Sequence, residues 1–252
     1  MRPRDLEARM REREWFHSLT VPPGAWTVVR VDGRGFSRLT AERFDKPFDA
    51  RFSDLMTTAA RTLLTELAGR YAYTESDEIS VVLDPDHDMF GREVEKLVSL
   101  SAAIASAAFT HAAGAPAAFD SRIWLGTHAD DVVDYMSWRQ ADAARCSLNG
   151  WCYWTLRGEG RTARQATREL ERASVPDKNE LLYARGINFN DLPAWQRRGI
   201  GLWWRTYEKT GHDPVRGVDV QATRRRVHIE RDLPMKDRYR DLVRDLVTRR
   251  AA

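Results

Sequence analysis

The segment Trp26-Thr-Val-Val-Arg-Val-Asp32 is a run of β-prone residues that ends at the glycine turn Gly33-Arg34-Gly35. After it, apolar residues recur at helical spacing from Phe48 to Leu67, which predicts a helix of about five turns. Two further β-prone segments, residues 70–74 and 79–83, are joined by the polar residues 75–78. This pattern is typical of a β-hairpin.

A second helix and a fourth strand complete the pattern. Residues 90–112 place apolar side chains at helical spacing, and residues 119–125 alternate between apolar and polar side chains. The resulting order βαββαβ predicts an α+β fold of the ferredoxin-like type, an antiparallel sheet with both helices on one face. The opposite face is therefore expected to be free to hold a site.

The rest of the chain is predicted to be mainly helical. Its predicted elements are an amino-terminal helix over 5–19, helices over 130–157 and 161–173, a short helix that includes 177–182, β-prone runs at 200–208 and 222–230 around a connection with proline and glycine, and a charged closing helix. We expect residues 1–127 to form the core with the amino-terminal helix. Residues 128–252 are expected to complete the same domain as a helical, basic region with a β-hairpin.

Composition excludes several classes of protein. The chain has 252 residues, of which 42% are hydrophobic and 31% charged, and this is typical of a folded domain. No segment approaches the ~20 apolar residues that a membrane span needs. The cysteines, Cys146 and Cys152, are too few for a disulfide framework or a cysteine metal site. Because the first residues also lack an apolar signal segment, we expect a cytoplasmic protein without a membrane partner.

Positive charge is concentrated toward the carboxyl end. Residues 195–252 contain 15 Lys and Arg against 8 Asp and Glu, whereas residues 1–194 contain 25 against 29. Three consecutive arginines, Arg224-Arg225-Arg226, lie in the basic part. The distribution favours a negatively charged partner, although a solvated face is the commoner outcome for such a run.

Carboxylates occur at two points that the predicted sheet brings together. Asp32 ends the first strand, and Asp77-Glu78 lie at the tip of the hairpin. The first and third strands are neighbours in a ferredoxin-like sheet. Clustered carboxylates repel one another unless cations lie between them, and such open, oxygen-rich sites suit Mg²⁺ bound together with phosphates. Two such ions ~4 Å apart are suited to phosphoryl or nucleotidyl transfer.

The glycine turn strengthens this interpretation. In Gly33-Arg34-Gly35-Phe36-Ser37, glycines allow the backbone to approach a ligand, and successive N–H groups can bind the anionic oxygens of a triphosphate. No Gly-Lys-Ser/Thr sequence follows, and Arg38 occupies the third glycine position of a dinucleotide fingerprint, which excludes both of those motifs. The combination is typical of a palm-type nucleotidyltransferase.

Seven motifs also occur in one order over about residues 26–205. They are Arg30-Val-Asp-Gly-Arg-Gly-Phe36, Phe44-Asp-Lys-Pro-Phe-Asp49, Tyr73-Thr-Glu-Ser-Asp-Glu78, Phe119-Asp120, Trp138-Arg-Gln140, Asp177-Lys-Asn-Glu180 and Ile187-Asn-Phe-Asn190. In these motifs the chain resembles the tRNA(His) guanylyltransferase-like family, whose members add nucleotides in the 3′-to-5′ direction.

This resemblance implies a polymerase-like palm that uses two Mg²⁺ ions. By resemblance, Asp32, the Gly33 carbonyl oxygen and Asp77 hold the metals, and Asp32, Asp77 and Glu78 are the catalytic carboxylates. The residues implied in nucleotide binding are Asp32, Gly33, Arg34, Gly35, Phe36, Ser37, Lys46, Ser76, Asp77, Arg92 and Lys96.

The resemblance also implies the substrates and the reaction. ATP or GTP activates the 5′-monophosphate of a tRNA, and the 3′-hydroxyl of an incoming nucleoside triphosphate then attacks that end. The implied assembly is a homotetramer. On charge alone, Arg224, Arg225 and Arg226 are expected to contact the tRNA backbone.

Two departures from the family pattern bear on the substrate. The eukaryotic enzymes have His-Ile-Asn-Asn where this chain has Ala144-Arg145-Cys146-Ser147, and they often have His at the position of Ser37. Both favour the branch that extends 5′-truncated tRNAs under Watson–Crick templating. Asn149, close to the altered segment, is a candidate contact to the nucleotide or RNA or a residue of the helix surface.

Three alternatives remain open at this level. The first is an enzyme dedicated to one 5′ guanosine on tRNA(His). The second is a palm-fold nucleotide cyclase, although the chain lacks a Gly-Gly-Asp/Glu-Glu-Phe signature. The third is an RNA-binding module without catalysis, in which the clustered carboxylates would repel the ligand.

Overall fold

A six-stranded antiparallel sheet forms the centre of the protein, which is described by a computed structural model over residues 3–213 and 217–249. The strands are β1 (Trp26–Arg34), β2 (Tyr71–Glu75), β3 (Glu78–Leu83), β4 (Ala118–Gly126), β5 (Ile200–Asp213) and β6 (Val218–Glu230). Their order across the sheet is β4-β1-β3-β2-β5-β6. The first four strands therefore have the ferredoxin-like order predicted from the sequence, and β1 and β3 are neighbours.

Helices account for most of the remaining chain. They are α1 (Pro3–Arg11), α2 (Phe36–Arg43), α3 (Ala50–Glu66), α4 (Val94–Ala113), α5 (Ala129–Gly158), α6 (Ala163–Glu171), α7 (Val175–Tyr183), α8 (Ala194–Arg198) and α9 (Asp237–Thr248), with short 3₁₀ turns at Met89–Arg92 and Phe189–Asp191. None of the helices in the described ranges is long and apolar enough to cross a membrane.

One face of the sheet packs against α3 and α4. Successive strand residues point to opposite faces, so Val29, Val31 and Val81 point to this side and are buried against Leu64 of α3 and Phe109 of α4. This arrangement confirms the prediction that both helices of the βαββαβ unit share a face.

The other face is covered, and the expectation of a free face is wrong. Val28, Tyr71 and Tyr73 point to this side and are buried against α5 and α9, whose contacts include Met136 and Tyr239. These large apolar side chains need a cover, and the helical region after β4 supplies it. The open part of this face is restricted to the end of the sheet at which β1 and β2 terminate.

Two predicted helices begin or end elsewhere. The amino-terminal helix covers Pro3–Arg11 rather than 5–19, and Trp15, Phe16 and Leu19 in the following turns are exposed instead of packed on the core. The second helix of the unit begins at Val94 rather than at residue 90, because residues 90–92 have positive φ angles that cannot continue a helix.

Helix α5 is long enough to leave the sheet. Its first half covers the sheet, and its second half packs against α6 and α7 around Leu148, Cys152, Leu156, Leu170 and Leu182. At 1.5 Å per residue, its 30 residues extend over about 45 Å. The helical extension formed by the second half of α5 with α6 and α7 therefore lies beyond the end of the sheet.

Strands β5 and β6 extend beyond the opposite end of the sheet. Pairing of β5 with β2 is limited to Ile200–Trp203, whereas pairing with β6 continues along the whole of both strands. The two predicted β-prone runs are therefore one hairpin, which is longer than expected. Part of its predicted connection, residues 214–216, lies outside the described residues.

Tyr239 tests the packing of α9 on the sheet. Its ring is fully buried against Tyr73, and its hydroxyl lies 3.1 Å from the hydroxyl of Tyr71. We expect Tyr239→Ala to lower the free energy of unfolding by about 3–5 kcal/mol and Tyr239→Phe by about 1 kcal/mol. Urea denaturation measures both. Arg238→Ala, on the exposed side of α9, is the control and should change it by less than about 0.5 kcal/mol.

Candidate active site

Four carboxylates lie in one row across the sheet. Asp32 of β1 pairs in register with Asp120 of β4 on one side and with Glu78 of β3 on the other, and Glu78 pairs with Glu75 of β2. Paired residues of neighbouring strands point to the same face. The row lies at the uncovered end of the α5 face, so the sequence-based juxtaposition of Asp32 and Glu78 is present in the structure.

Asp77 is fixed beside this row by the hairpin turn. The Gly33 N–H donates to the Asp77 carbonyl oxygen at 3.0 Å, which ties the end of β1 to the turn. Ser76 has a φ of +51°, and its hydroxyl donates to Asp77 Oδ1 at 3.1 Å. The turn therefore places the Asp77 carboxylate close enough to Asp32 for their negative charges to interact.

The electrostatics of this pair fit a cation site. Burial, and secondly the charge of Asp32, raise the pKa of Asp77. Neither carboxylate forms an ion pair with a described residue. No three acidic, His or Cys side chains in the described chain converge to hold an ion alone. Two carboxylates and a backbone oxygen are nevertheless the kind of set that Mg²⁺ uses together with water and phosphate oxygens.

Glu78 differs from these two residues because it is neutralised by arginine. Arg139 of α5 donates to both of its carboxylate oxygens, from Nε at 2.7 Å and from Nη2 at 2.9 Å, and Arg30 Nε lies 3.6 Å from Oε2. The Arg139 guanidinium also lies 4.6 Å from the ring centroid of Trp138. Glu78 is therefore held as part of a buried ion pair, and its catalytic role stays a prediction.

The glycine turn forms the start of α2. Gly35 has a φ of +74° and precedes the helix without a side-chain cap, so the N–H groups of Phe36 and Ser37 are available to an anion, whereas that of Arg38 donates to the Gly35 carbonyl oxygen. A Cβ on Gly33 would lie 2.5 Å from the ring of Phe36, which is buried among Phe52, Phe109 and Phe119. Phe36 thus serves the core, and only its backbone remains available to a nucleotide, whereas Arg34 and Ser37 are exposed.

Lys46 lines a cavity next to the carboxylates, together with Glu75. Its Nζ donates to Thr40 Oγ1 at 2.6 Å, and burial lowers its pKa whereas the negative charge of Asp77 raises it. The cavity has a volume of about 100 Å³. Its walls are aromatic and polar, and they include Phe44, Phe48, Phe52, Asp49, Thr74, Glu75, Ser76 and Trp195.

Arg92 and Lys96 are not near this site within one chain. Arg92 accepts a backbone hydrogen bond from Val21, which precedes β1, and Lys96 pairs with Glu93. Asp32 lies at the other end of β1, six residues and about 20 Å beyond Trp26. The structure of one chain therefore does not support the predicted phosphate contacts of these two residues.

Arg224, Arg225 and Arg226 are exposed on β6, where the hairpin has left the sheet. Arg225 lies over Trp204, and Arg226 lies over Tyr207 on the other face of the hairpin. They are remote from the carboxylates.

Asn149 accepts a hydrogen bond from Lys178 Nζ at 3.0 Å and so connects α5 with α7. This contact between two helices accounts for the polar side chain of Asn149.

Arg139 is the functional candidate that sequence reasoning missed. It lies in the Trp138-Arg-Gln140 motif, where Gln140 Nε2 donates to the Pro234 carbonyl oxygen at 2.9 Å. The signal was present, because an arginine between buried positions of an amphipathic helix needs a buried carboxylate partner. The sequence does not show which carboxylate, since Glu78 is 61 residues away.

Comparison with known proteins relates this geometry to a family. Residues 7–127 match the family model for tRNAHis guanylyltransferase, and residues 130–244 match that for the Thg1 C terminal domain. A probable tRNA(His) guanylyltransferase from Mus musculus is 35% identical over 210 residues, which cover 78% of this chain and 70% of the relative. The chain belongs to the tRNA(His) guanylyltransferase family. It is therefore a nucleotidyltransferase, and the resemblance drawn from its motifs is confirmed.

Further relatives and solved structures agree with this assignment. The tRNA(His) guanylyltransferase of Neurospora crassa is 35% identical over 201 residues, which cover 74% of this chain and 68% of the relative. A bacterial Thg1-like protein in complex with ATP has a TM-score of 0.74 and 26% identity, over 96% of this chain and 99% of that one. The Saccharomyces cerevisiae enzyme has a TM-score of 0.70 and 26% identity, over 75% and 90%. The α+β palm-type fold is shared with these structures.

Glu75 generates a prediction about pH. Burial, and secondly the charge of Glu78, raise its pKa to about 8. The folded state then binds a proton more tightly than the unfolded state, so Glu75 lowers the free energy of unfolding as pH rises from about 4.5 to 8, by up to ~1.4 kcal/mol per unit. Urea denaturation in EDTA from pH 5 to 9 should show this decline in the wild type and a flatter profile in Glu75→Gln.

The control is Glu66→Gln, an exposed position at the end of α3. It should follow the wild-type profile. Parallel profiles for the wild type and Glu75→Gln would contradict the buried, protonated state of Glu75.

Proposed function

We propose that the protein is a template-dependent 3′-to-5′ nucleotidyltransferase that adds nucleotides to the 5′ end of truncated tRNA after activation by ATP or GTP. The main support is the pair Asp32 and Asp77, whose carboxylates form no ion pair with a described residue and lie beside the uncapped start of α2. A site that concentrates negative charge next to free N–H groups is suited to cations and phosphates together.

The donor set fits Mg²⁺, with Asp32, the Gly33 carbonyl oxygen and Asp77 as the protein ligands. When bound, Mg²⁺ would neutralise phosphate charge and lower the pKa of an attacking hydroxyl. The requirement for oxygen ligands is met without His or Cys, as the chemistry of this ion demands.

The surrounding residues bind and orient the substrates. N–H groups at the start of α2 and the Lys46 ammonium bind triphosphate oxygens, and the aromatic cavity beside Ser76 provides apolar surface for a base. Arg139 neutralises the carboxylate of Glu78, so that Glu78 keeps its place in the row of carboxylates without adding an unpaired negative charge to it. In this proposal the Glu78–Arg139 ion pair holds the end of β3 in place beside Asp32.

The comparisons support the substrate classes. The bacterial structural relatives were solved in complex with ATP and with GTP, and the curated relatives are named for guanylyl transfer to tRNA(His). Those names favour a second candidate function, addition of one guanosine to tRNA(His). Cellular location and a homotetrameric assembly remain parts of the proposal.

The segment Ala144–Ser147 favours templating. Arg145 is engaged with Asp142, Ser147 is buried, and Cys146 is a weak hydrogen-bond partner. No side-chain amide from this segment is available to select a guanine, so selection falls to the opposing base.

Removal of either proposed metal ligand should strongly slow nucleotide addition. We expect Asp32→Asn and Asp77→Asn each to lower kcat by about 10³-fold, because each removes stabilisation of developing charge that is worth several kcal/mol. Labelled nucleotide incorporation at saturating Mg²⁺ measures this effect. Asp86→Asn, at an exposed carboxylate, is the control. Near-normal turnover of either variant would contradict the assignment.

Templating is tested by changing one base of the RNA. In a 5′-truncated tRNA, the base opposite the missing nucleotide is varied among A, C, G and U, and the incorporated triphosphate is identified. We expect the complementary nucleotide in each case, because a mismatch leaves polar edges unpaired at a cost of roughly 1–3 kcal/mol per group. Guanosine incorporation opposite every base would support the dedicated enzyme instead.

The basic face of the β5–β6 hairpin is proposed to contact the tRNA backbone. Register places Arg224 and Arg226 on one face with Arg205 and Lys209. Replacing Arg224, Arg225 and Arg226 by Gln should weaken tRNA binding and reduce its salt dependence by about one unit of slope per lost phosphate contact. ATP binding is expected to stay unchanged. If the salt dependence of tRNA binding is unchanged in this variant, Arg224, Arg225 and Arg226 are only a solvated surface.

A further inference from the structure

Helix α6 and the C-cap residue that follows it have a stripe of exposed arginines, Arg164, Arg168 and Arg172, which we call the α6 stripe. The residues are four apart and therefore lie above one another on the helix, over about 12 Å of its length. Ala166 and Leu170 on the opposite face are buried against α5. The three guanidinium groups consequently point away from the protein.

The α6 stripe has no carboxylate partners among the described residues. Other exposed arginines do, for example Arg38 with Glu42 and Arg244 with Asp130. Glu159, the acidic residue just after α5, pairs with Arg185. Local helix energetics do not explain Arg164, because it lies in the first turn, where the helix dipole disfavours a cation, and like charges at i,i+4 repel. Arg168 and Arg172 lie at the carboxyl end, where the dipole favours a cation, and neither forms an ion pair with Glu169 or Glu171 of the same helix.

The position of the stripe is defined by α5. Arg139 contacts Glu78 at the active site, and α6 packs against α5 between Leu148 and Leu156. The stripe therefore lies roughly 15–25 Å beyond the carboxylate row along α5. The β5–β6 hairpin, with its basic face, extends beyond the opposite end of the sheet. The active site therefore lies between two basic surfaces, the α6 stripe and the face of the hairpin.

We propose that the α6 stripe binds phosphates of the RNA substrate at a distance from its reacting 5′ end. The inference rests on the proposed function, since it takes tRNA as the substrate. Evenly spaced arginines, about 6 Å apart, are suited to a backbone of repeated phosphates, which guanidinium groups bind with paired hydrogen bonds. A membrane surface is disfavoured, because the apolar face of α6 is buried in the protein.

The test is a salt titration of tRNA binding. Arg164→Gln/Arg168→Gln should bind more weakly, and the slope of log K against log salt should become less steep by about 2, one for each lost contact. Arg164→Lys/Arg168→Lys should retain most of the slope because it keeps the charges. The control Arg13→Gln/Arg61→Gln removes two exposed arginines without described carboxylate partners, and it should behave like the wild type.

Each outcome has one interpretation. An unchanged slope in the Gln variant, or an equal loss in the Arg13/Arg61 control, overturns the proposal. Thermal unfolding shows whether the Gln variant is folded, and we expect an unchanged or higher Tm because repulsion is relieved. Failure of the proposed function is distinguished separately, since it appears in the wild type as binding without nucleotide addition, and the salt comparison remains valid in that case.

Discussion

The active site depends on carboxylates that the sheet holds close together in spite of the repulsion between their negative charges. Asp32, Glu78, Glu75 and Asp120 are placed side by side by strand register, and Asp77 is tied to the end of β1 through Gly33. Backbone hydrogen bonds of four strands would have to break for these carboxylates to separate. The protein neutralises Glu78 with Arg139 and pairs Asp120 with Arg122, and burial raises the pKa of Glu75, so that the charges of Asp32 and Asp77 are left for ligands. The cluster is thus a high-energy arrangement maintained by the stability of the core.

That stability comes from packing on both faces of the sheet. Helices α3 and α4 bury one face, and α5 with α9 buries the other, so strands β1 and β3 are inaccessible along most of their length. Helix α5 serves two purposes, because the same element that covers Tyr71 and Tyr73 also delivers Arg139 to Glu78. Burial of apolar surface and placement of the neutralising charge are therefore coupled.

Local patterns predicted most of the ferredoxin-like unit and the position of its acidic end. Strand alternation, helical spacing and glycine turns are encoded within a few residues, and this is why β1 to β4 and the Asp32–Glu78 pairing could be predicted. The cover formed by α5 and α9, and the pairing of Arg139 with Glu78, depend on contacts between residues far apart in sequence. The apolar residues near the amino terminus, such as Phe16, show the reverse case, since helical spacing is present but a core to receive it is not.

The continuity of α5 fixes the distance between the active site and the helical extension. Because the helix is unbroken from Ala129 to Gly158, the axial distance from Arg139 to the helical extension is set by a count of residues. Each added residue would shift the extension by 1.5 Å and rotate it by about 100°, so that an inserted residue would turn α6 away from its present direction. Four added residues would nearly restore the direction while displacing α6 by about 6 Å. Only insertions or deletions of about a whole turn would therefore keep the direction of α6. A ligand that contacts both Arg139 and the helical extension must span the distance that α5 sets between them.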